Sequence, residues 1–541
     1  MTLTEQRAEP TTGGHALAGT RGLVRLALRA DRWRIVVWSV SVAWLTLVSV
    51  QALESLYTTP ESRQARATLI ASPAATALAG PGYGLDDYTI GAMTANELAL
   101  WIMLPVAIMA VLAVTRHLRA PEEDGRLELL RSQPVGAAAP VVAGLVAAAA
   151  GVLAVGALTF VALLTTSLDA GGSALMCAGI VVAALVLAGA SAVASQLSAH
   201  ARTASALGMA AIGVAFVLRA VGDVQAFESG SVWSWLSPFG WSQATAPYTE
   251  DRWWPLLIGL AATTISVAFA FALVGRRDLG TGLLPDRPGR AHGRLRGVVD
   301  LTWRRQRTSI VSWAVATILS GALVGVLAEQ ISNFVDDQVA LTDLFPEGAA
   351  GAIDAAFSLY AVFLAVLAFS YATTAVGAVR GEETSGRAET MLALPVSRTR
   401  WLGAQLGLAL VASVVMLLVA GLAMGLTAAA SLSDSSQVGR LVGAAAVTVP
   451  GVLCVLGVAV LVLGFAPRAF VAVWAYVAYV AVMAMFAALL PDGFDVASPF
   501  TYLPALPSEE MSWAPVLACT AVGVVAGLVG IAGFRRRDLQ A

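Results

Sequence analysis

Two short runs of charge carry the chain's candidate chemistry. The first is Arg119-Ala-Pro-Glu122-Glu-Asp-Gly125-Arg126-Leu-Glu128, continuing to Pro134-Val135. The second is Arg380-Gly-Glu-Glu383-Thr-Ser-Gly386-Arg387-Ala-Glu389, continuing to Pro395-Val396. Seven residues recur in register at one offset of 261. Glu122 with Arg126, and Glu383 with Arg387, stand at i, i+4 with the acid first, the orientation that supports a helix. Gly125 and Gly386 would open a gap on that helix face where another surface can approach. Pro134 and Pro395 would stop the helix. Such residues offer paired charges for protein docking rather than acid–base or metal chemistry. A solvated connector helix would account for one run, but a connector needs no matched copy elsewhere. Two copies suggest two docking points for two like subunits.

The elements that must hold these islands are apolar. Hydrophobic residues make up 58% of 541 and charged residues only 13%, against about 25% charged in soluble proteins. Runs of about 20 apolar residues, enough to cross a bilayer, repeat down the chain. They predict an all-α polytopic membrane protein with twelve crossings: about Ile35–Leu53, Leu98–Thr115, Pro140–Thr165, Ala174–Leu197, Ala204–Val221 and Trp254–Val274, then Ile310–Leu327, Ala356–Ala378, Leu402–Ala429, Leu441–Phe465, Phe470–Leu490 and Ala514–Phe534. Each island follows the second crossing of its half. Arg21, Arg25, Arg29 and Arg32 recur at helical spacing before the first crossing, as an interfacial helix or a plain basic cluster. Gly293–Arg307 reads as a similar helix before the seventh crossing. The segments Gly222–Asp251 and Pro491–Trp513 are apolar but broken by Gly and Pro, and read as short re-entrant helices. A long outer loop, Glu54–Asn96, carries Asp86 and Asp87, and a shorter acidic one holds Asp336, Asp337, Asp343 and Glu347.

Outside the islands the halves also repeat. Ser237-Pro238-Phe239 returns as Ser498-Pro499-Phe500, and Arg277-Asp278-Leu279 as Arg537-Asp538-Leu539. Two parallel six-helix repeats follow, related by an axis along the membrane normal. The expected organisation is a disordered stretch 1–18, a first half 19–279, a cytoplasmic linker 280–292 and a second half 293–541. All but five of the 33 basic residues fall on one side of this topology, the exceptions being Arg63, Arg66, Arg219, Arg252 and Arg440. The positive-inside rule then places both ends and both islands in the cytoplasm. No cleavable leader is expected, since the first thirty residues lack a short apolar core.

Several engines are disfavoured. The sequence contains no lysine, and a Walker phosphate loop needs one. Cys177, Cys454 and Cys519 lie inside apolar runs without ligand spacing, as small buried hydrophobes do, so no metal is expected. The net charge of −2 is uninformative about partners, and nothing points to nucleic acid. No His, Asp or Glu cluster suggests an embedded enzyme.

The pattern Glu-Glu-x-x-Gly-Arg-x-Glu-x-x-x-x-x-Pro-Val-x-Arg after a second crossing resembles the coupling helix of type-2 ATP-binding-cassette exporter permeases, with six crossings, an interfacial helix and re-entrant helices per unit. The run Arg276–Pro285 resembles the fused twelve-crossing antibiotic and multidrug exporter permeases of actinobacteria, the tetronasin-exporter type. The first island departs from the pattern, with Pro121 and Asp124 in place of Glu382 and Ser385 and no counterpart of Arg398. The resemblance implies a transport subunit of a bacterial cell membrane that exports apolar drugs, antibiotics or lipids. It also implies that two copies of a separate cassette ATPase dock on Arg119, Glu122, Gly125, Arg126 and Glu128 and on Arg380, Glu383, Gly386, Arg387 and Glu389, and that the ATPase binds ATP and Mg. The alternative is a proton-coupled transporter of the major facilitator type, whose loop motif Gly282–Arg290 mimics. That motif belongs after a second crossing, and proton coupling needs intramembrane ionisable groups, which the crossings almost lack at mid-depth.

For a small apolar substrate, Tyr476, Tyr479, Met483 and Phe486 share one face of the eleventh crossing, and Phe357, Tyr360 and Phe363 recur along the eighth. Met and aromatic surface suits varied apolar ligands; helix packing explains the same stripes.

Overall fold

A computed structural model describes residues 16–71, 76, 79–226, 231–278, 280–284, 297–329, 348–486, 493 and 495–538. The regular elements among the described residues are all helices, with no strand among them. Eleven helices are long and apolar enough to cross a membrane. A further apolar helix, Val471–Phe486, occupies the place of the eleventh crossing, whose expected end at Leu490 lies outside the described residues. The all-α polytopic fold read from the sequence is therefore the one observed.

The chain divides into two compact units, residues 1–289 and 290–541. The first unit begins with α1 (Thr20–Leu56) and α2 (Pro60–Ile70). α3 (Ile90–Met93) and a π turn at Thr94–Leu98 run into α4 (Ala99–Leu118), which is followed by α5 (Ala120–Glu123) and α6 (Arg126–Arg131). Then come α7 (Ala139–Leu163), α8 (Ala170–Leu197), α9 (Ala201–Gln225), the short α10 (Pro238–Gln243) and α11 (Pro255–Val274). The second unit holds α12 (Val298–Val326), α13 (Gly348–Thr384), α14 (Arg387–Leu392) and α15 (Arg398–Ser431). It continues with α16 (Ser436–Val447), α17 (Val449–Phe465), α18 (Val471–Phe486) and α19 (Trp513–Arg536).

The expected interfacial helices are not separate elements. Arg21–Arg32 is the opening of the 37-residue α1, about 55 Å long at 1.5 Å per residue, well beyond the ~30 Å apolar core of a bilayer. Nothing between Arg32 and Ile35 can break a helix, so the basic turns and the crossing fuse. Likewise α12 runs from Val298 through the crossing without a stop. The outer segment Glu54–Asn96 is more than a loop. Ala67, Ile70, Tyr88, Ala92 and Met93 form a small core there, and Arg66 pairs with Glu97 at 2.7 Å. The interrupted segments do form short helices: a 3-10 turn at Ser234–Leu236 with α10, and a 3-10 turn at Pro499–Tyr502.

Each unit has its own core. Leu100, Val106, Val114, Leu187 and Phe239 anchor the first, and Phe357, Phe369, Leu417, Val455 and Phe500 the second. Helices associating in lipid gain little from the hydrophobic effect and rely on close packing. Glycine supplies it between α17 and α19, where a Cβ at Gly457 would lie 2.5 Å from the Gly523 carbonyl oxygen and one at Gly530 2.6 Å from backbone atoms of α17.

Candidate functional site

Both islands fold alike, and differently from a single helix. Gly125 at φ 71 and Gly386 at φ 72 adopt the left-handed region, which costs other L-residues energy. The chain therefore breaks there and restarts as α6 or α14. A Cβ at either glycine would meet open space, so glycine serves the backbone turn rather than a close approach. The break separates the expected i, i+4 partners. Arg126 pairs instead with Asp124 at 2.5 Å, and Arg387 with Glu382 at 3.0 Å, with Arg305 also on Glu382.

Glu122 and Glu383 turn inward. The Glu122 carboxylate, its side chain 5% exposed, accepts from Arg119 at 2.5 Å and from Arg277 at 2.6 and 2.7 Å. Glu383 is buried and accepts from Arg380 at 3.2 Å and from Arg537 at 2.6 Å. Arg277 and Arg537 are the residues that head the repeated Arg-Asp-Leu motif. Each half thus builds the same Arg–Glu–Arg staple, tying the end of its second crossing to the end of its sixth. In the first half Arg277 also donates to Gln196 at 2.8 Å and to the Thr281 carbonyl at 3.1 Å, while Arg119 donates to the carbonyls of Ala199 and Thr281. In the second half Arg398 donates to the Arg537 carbonyl at 2.8 Å, and the Arg537 guanidinium sits 4.8 Å over the Phe534 ring.

What remains outward is the turn and the short helix after it. Arg126, Glu128, Arg387 and Glu389 are exposed, as are Leu129 and Leu394. Of the ten island residues singled out from the sequence, these four charged ones can meet a partner directly; Arg119, Glu122, Arg380 and Glu383 position them, and the two glycines shape the turn.

Sequence reasoning missed Asp31. It is buried, accepts from Arg34 and Arg116 at 2.8 Å each and lies 2.6 Å from His117, fastening α1 to the end of α4. A lone acid within an arginine stripe was its signal. Arg219 and Asp223 form a buried pair at 3.4 Å in α9, with Ser234 also bonded to Asp223.

The aromatic stripes divide. Phe357 is fully buried, Tyr360 and Phe363 pack edge to face at 6.5 Å, and Met483 is buried. Tyr476 and Tyr479 stack at 6.2 Å. Tyr476 lines a cavity of about 400 Å³ with Cys454, Pro499, Tyr502 and Cys519. The side chain of Phe486 lies outside the described residues. Packing thus takes most of the stripe, and Tyr476 meets a cavity. Among the described residues no cluster of His, Cys, Asp or Glu could hold a metal.

Residues 295–535 match the family described as "Multidrug efflux system permease Rv1217c, C-terminal domain". The chain is 34% identical over 536 residues to the multidrug efflux system permease protein Rv1217c of Mycobacterium tuberculosis, an alignment spanning 97% of this chain and 96% of the relative. With that identity over nearly the whole of both chains, the chain belongs to the Rv1217c family of multidrug efflux system permeases.

Proposed function

We propose that the chain is the membrane permease of an ATP-driven drug exporter, with both islands facing the cytoplasm. Each island receives one copy of a separate cassette ATPase, which binds ATP and Mg and supplies the energy that a chain without lysine has no Walker loop to harvest. The observation that carries this reading is the repetition of one built surface. In both halves a left-handed glycine presents an exposed arginine and glutamate from a base held by a buried Arg–Glu–Arg staple. The relative's name as part of a multidrug efflux system supports export of varied apolar compounds, and the cavity beside Tyr476 is one place for them to contact the chain.

The test is assembly and drive. Co-expressed cassette ATPase should purify with the wild-type chain and be lost from the double variant Arg126→Glu, Arg387→Glu, whose membrane insertion stays normal. Proteoliposomes of the complex should export a fluorescent apolar dye with ATP after a protonophore has collapsed the gradient. Transport by the isolated chain on an imposed pH gradient without nucleotide would replace this reading with a proton-coupled one.

A further inference from the structure

The two staples are flanked by unequal neighbours. In the second half, Trp401 and Phe534 are buried and their rings stack at 6.1 Å. The repeat offsets align Trp401 with Pro140, Phe534 with Val274, and Leu392 with Arg131. Where the second half places an indole and a phenyl ring, the first therefore has only a pyrrolidine ring and an isopropyl group. The result is a cavity of about 160 Å³ walled by Leu118, Leu127, Val141 and Val274, with Arg131, Glu122 and Arg277 on its polar side.

Arg131 stands where the second half has a leucine. Its Nη2 donates to the Ala137 carbonyl at 3.1 Å, but its Nε is buried with no hydrogen-bond partner. Buried donors are nearly always satisfied, so an unpaired guanidinium N–H lining a cavity marks a missing acceptor. The local charge says which kind. Among the lining residues Arg131 and Arg277 face the single acid Glu122, leaving one positive charge in excess, which favours an anionic oxygen. The volume is well under the ~300–1,000 Å³ of drug-sized pockets. The helix contributing Val274 is apolar, and only 17% of its most apolar stretch is buried, so the cavity sits beside a largely exposed apolar surface.

We propose that this cavity binds the phosphate of an anionic phospholipid in the leaflet on the island side, with Arg131 donating to the phosphate and the start of an acyl chain lying against Val141 and Val274. The site is confined to the first half, because Trp401, Phe534 and Leu392 close its counterpart. A lipid held there touches the same Glu122 and Arg277 that anchor the first island.

Native mass spectrometry of the full chain in detergent tests this with phosphatidylglycerol and phosphatidylcholine as probes. The wild type should retain phosphatidylglycerol in preference to phosphatidylcholine. Arg131→Leu should lower that retention about tenfold, to the phosphatidylcholine level, and Val274→Phe should do the same by filling the space with the second half's own side chain. Elution as a monodisperse species shows each variant folded, and Val274→Phe keeps the test valid if Arg131→Leu misfolds. Unchanged preference in both variants overturns the site. Inorganic phosphate displacing phosphatidylglycerol at millimolar concentration, with Arg131→Leu insensitive, would assign the cavity to a free anion and overturn the lipid.

Discussion

Glu122 and Glu383 share a residue type and a motif position with surface acids, yet their role is internal. Gln at position 122 keeps the shape and removes the charge, leaving Arg119 (fully buried) and Arg277 (4% exposed) facing each other. Losing one member of a buried ionic cluster costs about 3–5 kcal/mol, whereas an exposed pair such as Arg126 with Asp124 is worth about 0–1 kcal/mol. Glu122→Gln should therefore lower the temperature at which the solubilised chain loses its fold, while Arg126→Gln leaves it nearly unchanged; a thermal-denaturation series in detergent separates the two. Charge reversal at Glu383 is no test of docking: an arginine there would face Arg380 and Arg537 inside the protein and unfold the base of the second half, so loss of partner binding would follow from misfolding. The islands stand out in the sequence because their charges recur in register. Which acid points inward was not legible there, since that depends on the left-handed φ of one glycine and on arginines about 155 residues further along.

At the scale of elements, helix existence and the break points followed from composition: apolar runs of membrane length, and Gly or Pro where the re-entrant turns lie. Element boundaries failed where no breaker stands, as in α1 and α12, because a helix continues until something stops it. Packing was also beyond the sequence. Gly527 and Gly530 lie one turn apart in α19 and look equivalent, but a Cβ at Gly527 meets nothing within 4 Å, while one at Gly530 meets the backbone of α17 at 2.6 Å. Gly530→Ala should thus push α17 and α19 apart and reduce the yield of folded, detergent-stable protein, and Gly527→Ala should leave it equal or slightly raised, since alanine is the better helix former. Fluorescence-detected size exclusion of the two variants, run side by side, decides this. Equal profiles would mean that the two helices do not meet as described.

For the whole molecule, the arginine distribution predicts that both islands face the cytoplasm. Cysteine placed at Thr384, exposed on the second island, and at Ser435, exposed between α15 and α16, should react with an impermeant thiol reagent from opposite sides: the first only in inside-out vesicles, the second only in intact cells. The native Cys177, Cys454 and Cys519 are all buried, so background labelling should be low. Labelling of both positions from one side would undo the topology and with it the docking role of the islands.

The staples also impose an order on biogenesis. Glu122 leaves the ribosome 155 residues before Arg277, and Glu383 precedes Arg537 by 154. At about 5–20 residues per second, each glutamate waits roughly 8–30 s for its distant cation, held meanwhile by the arginine three residues before it. Each half therefore completes the base of its island only when its own sixth crossing has been made, and the first half can do so before the second half has been synthesised. Newly made chains stalled between residues 122 and 277 should be the substrates that membrane quality-control proteases take first.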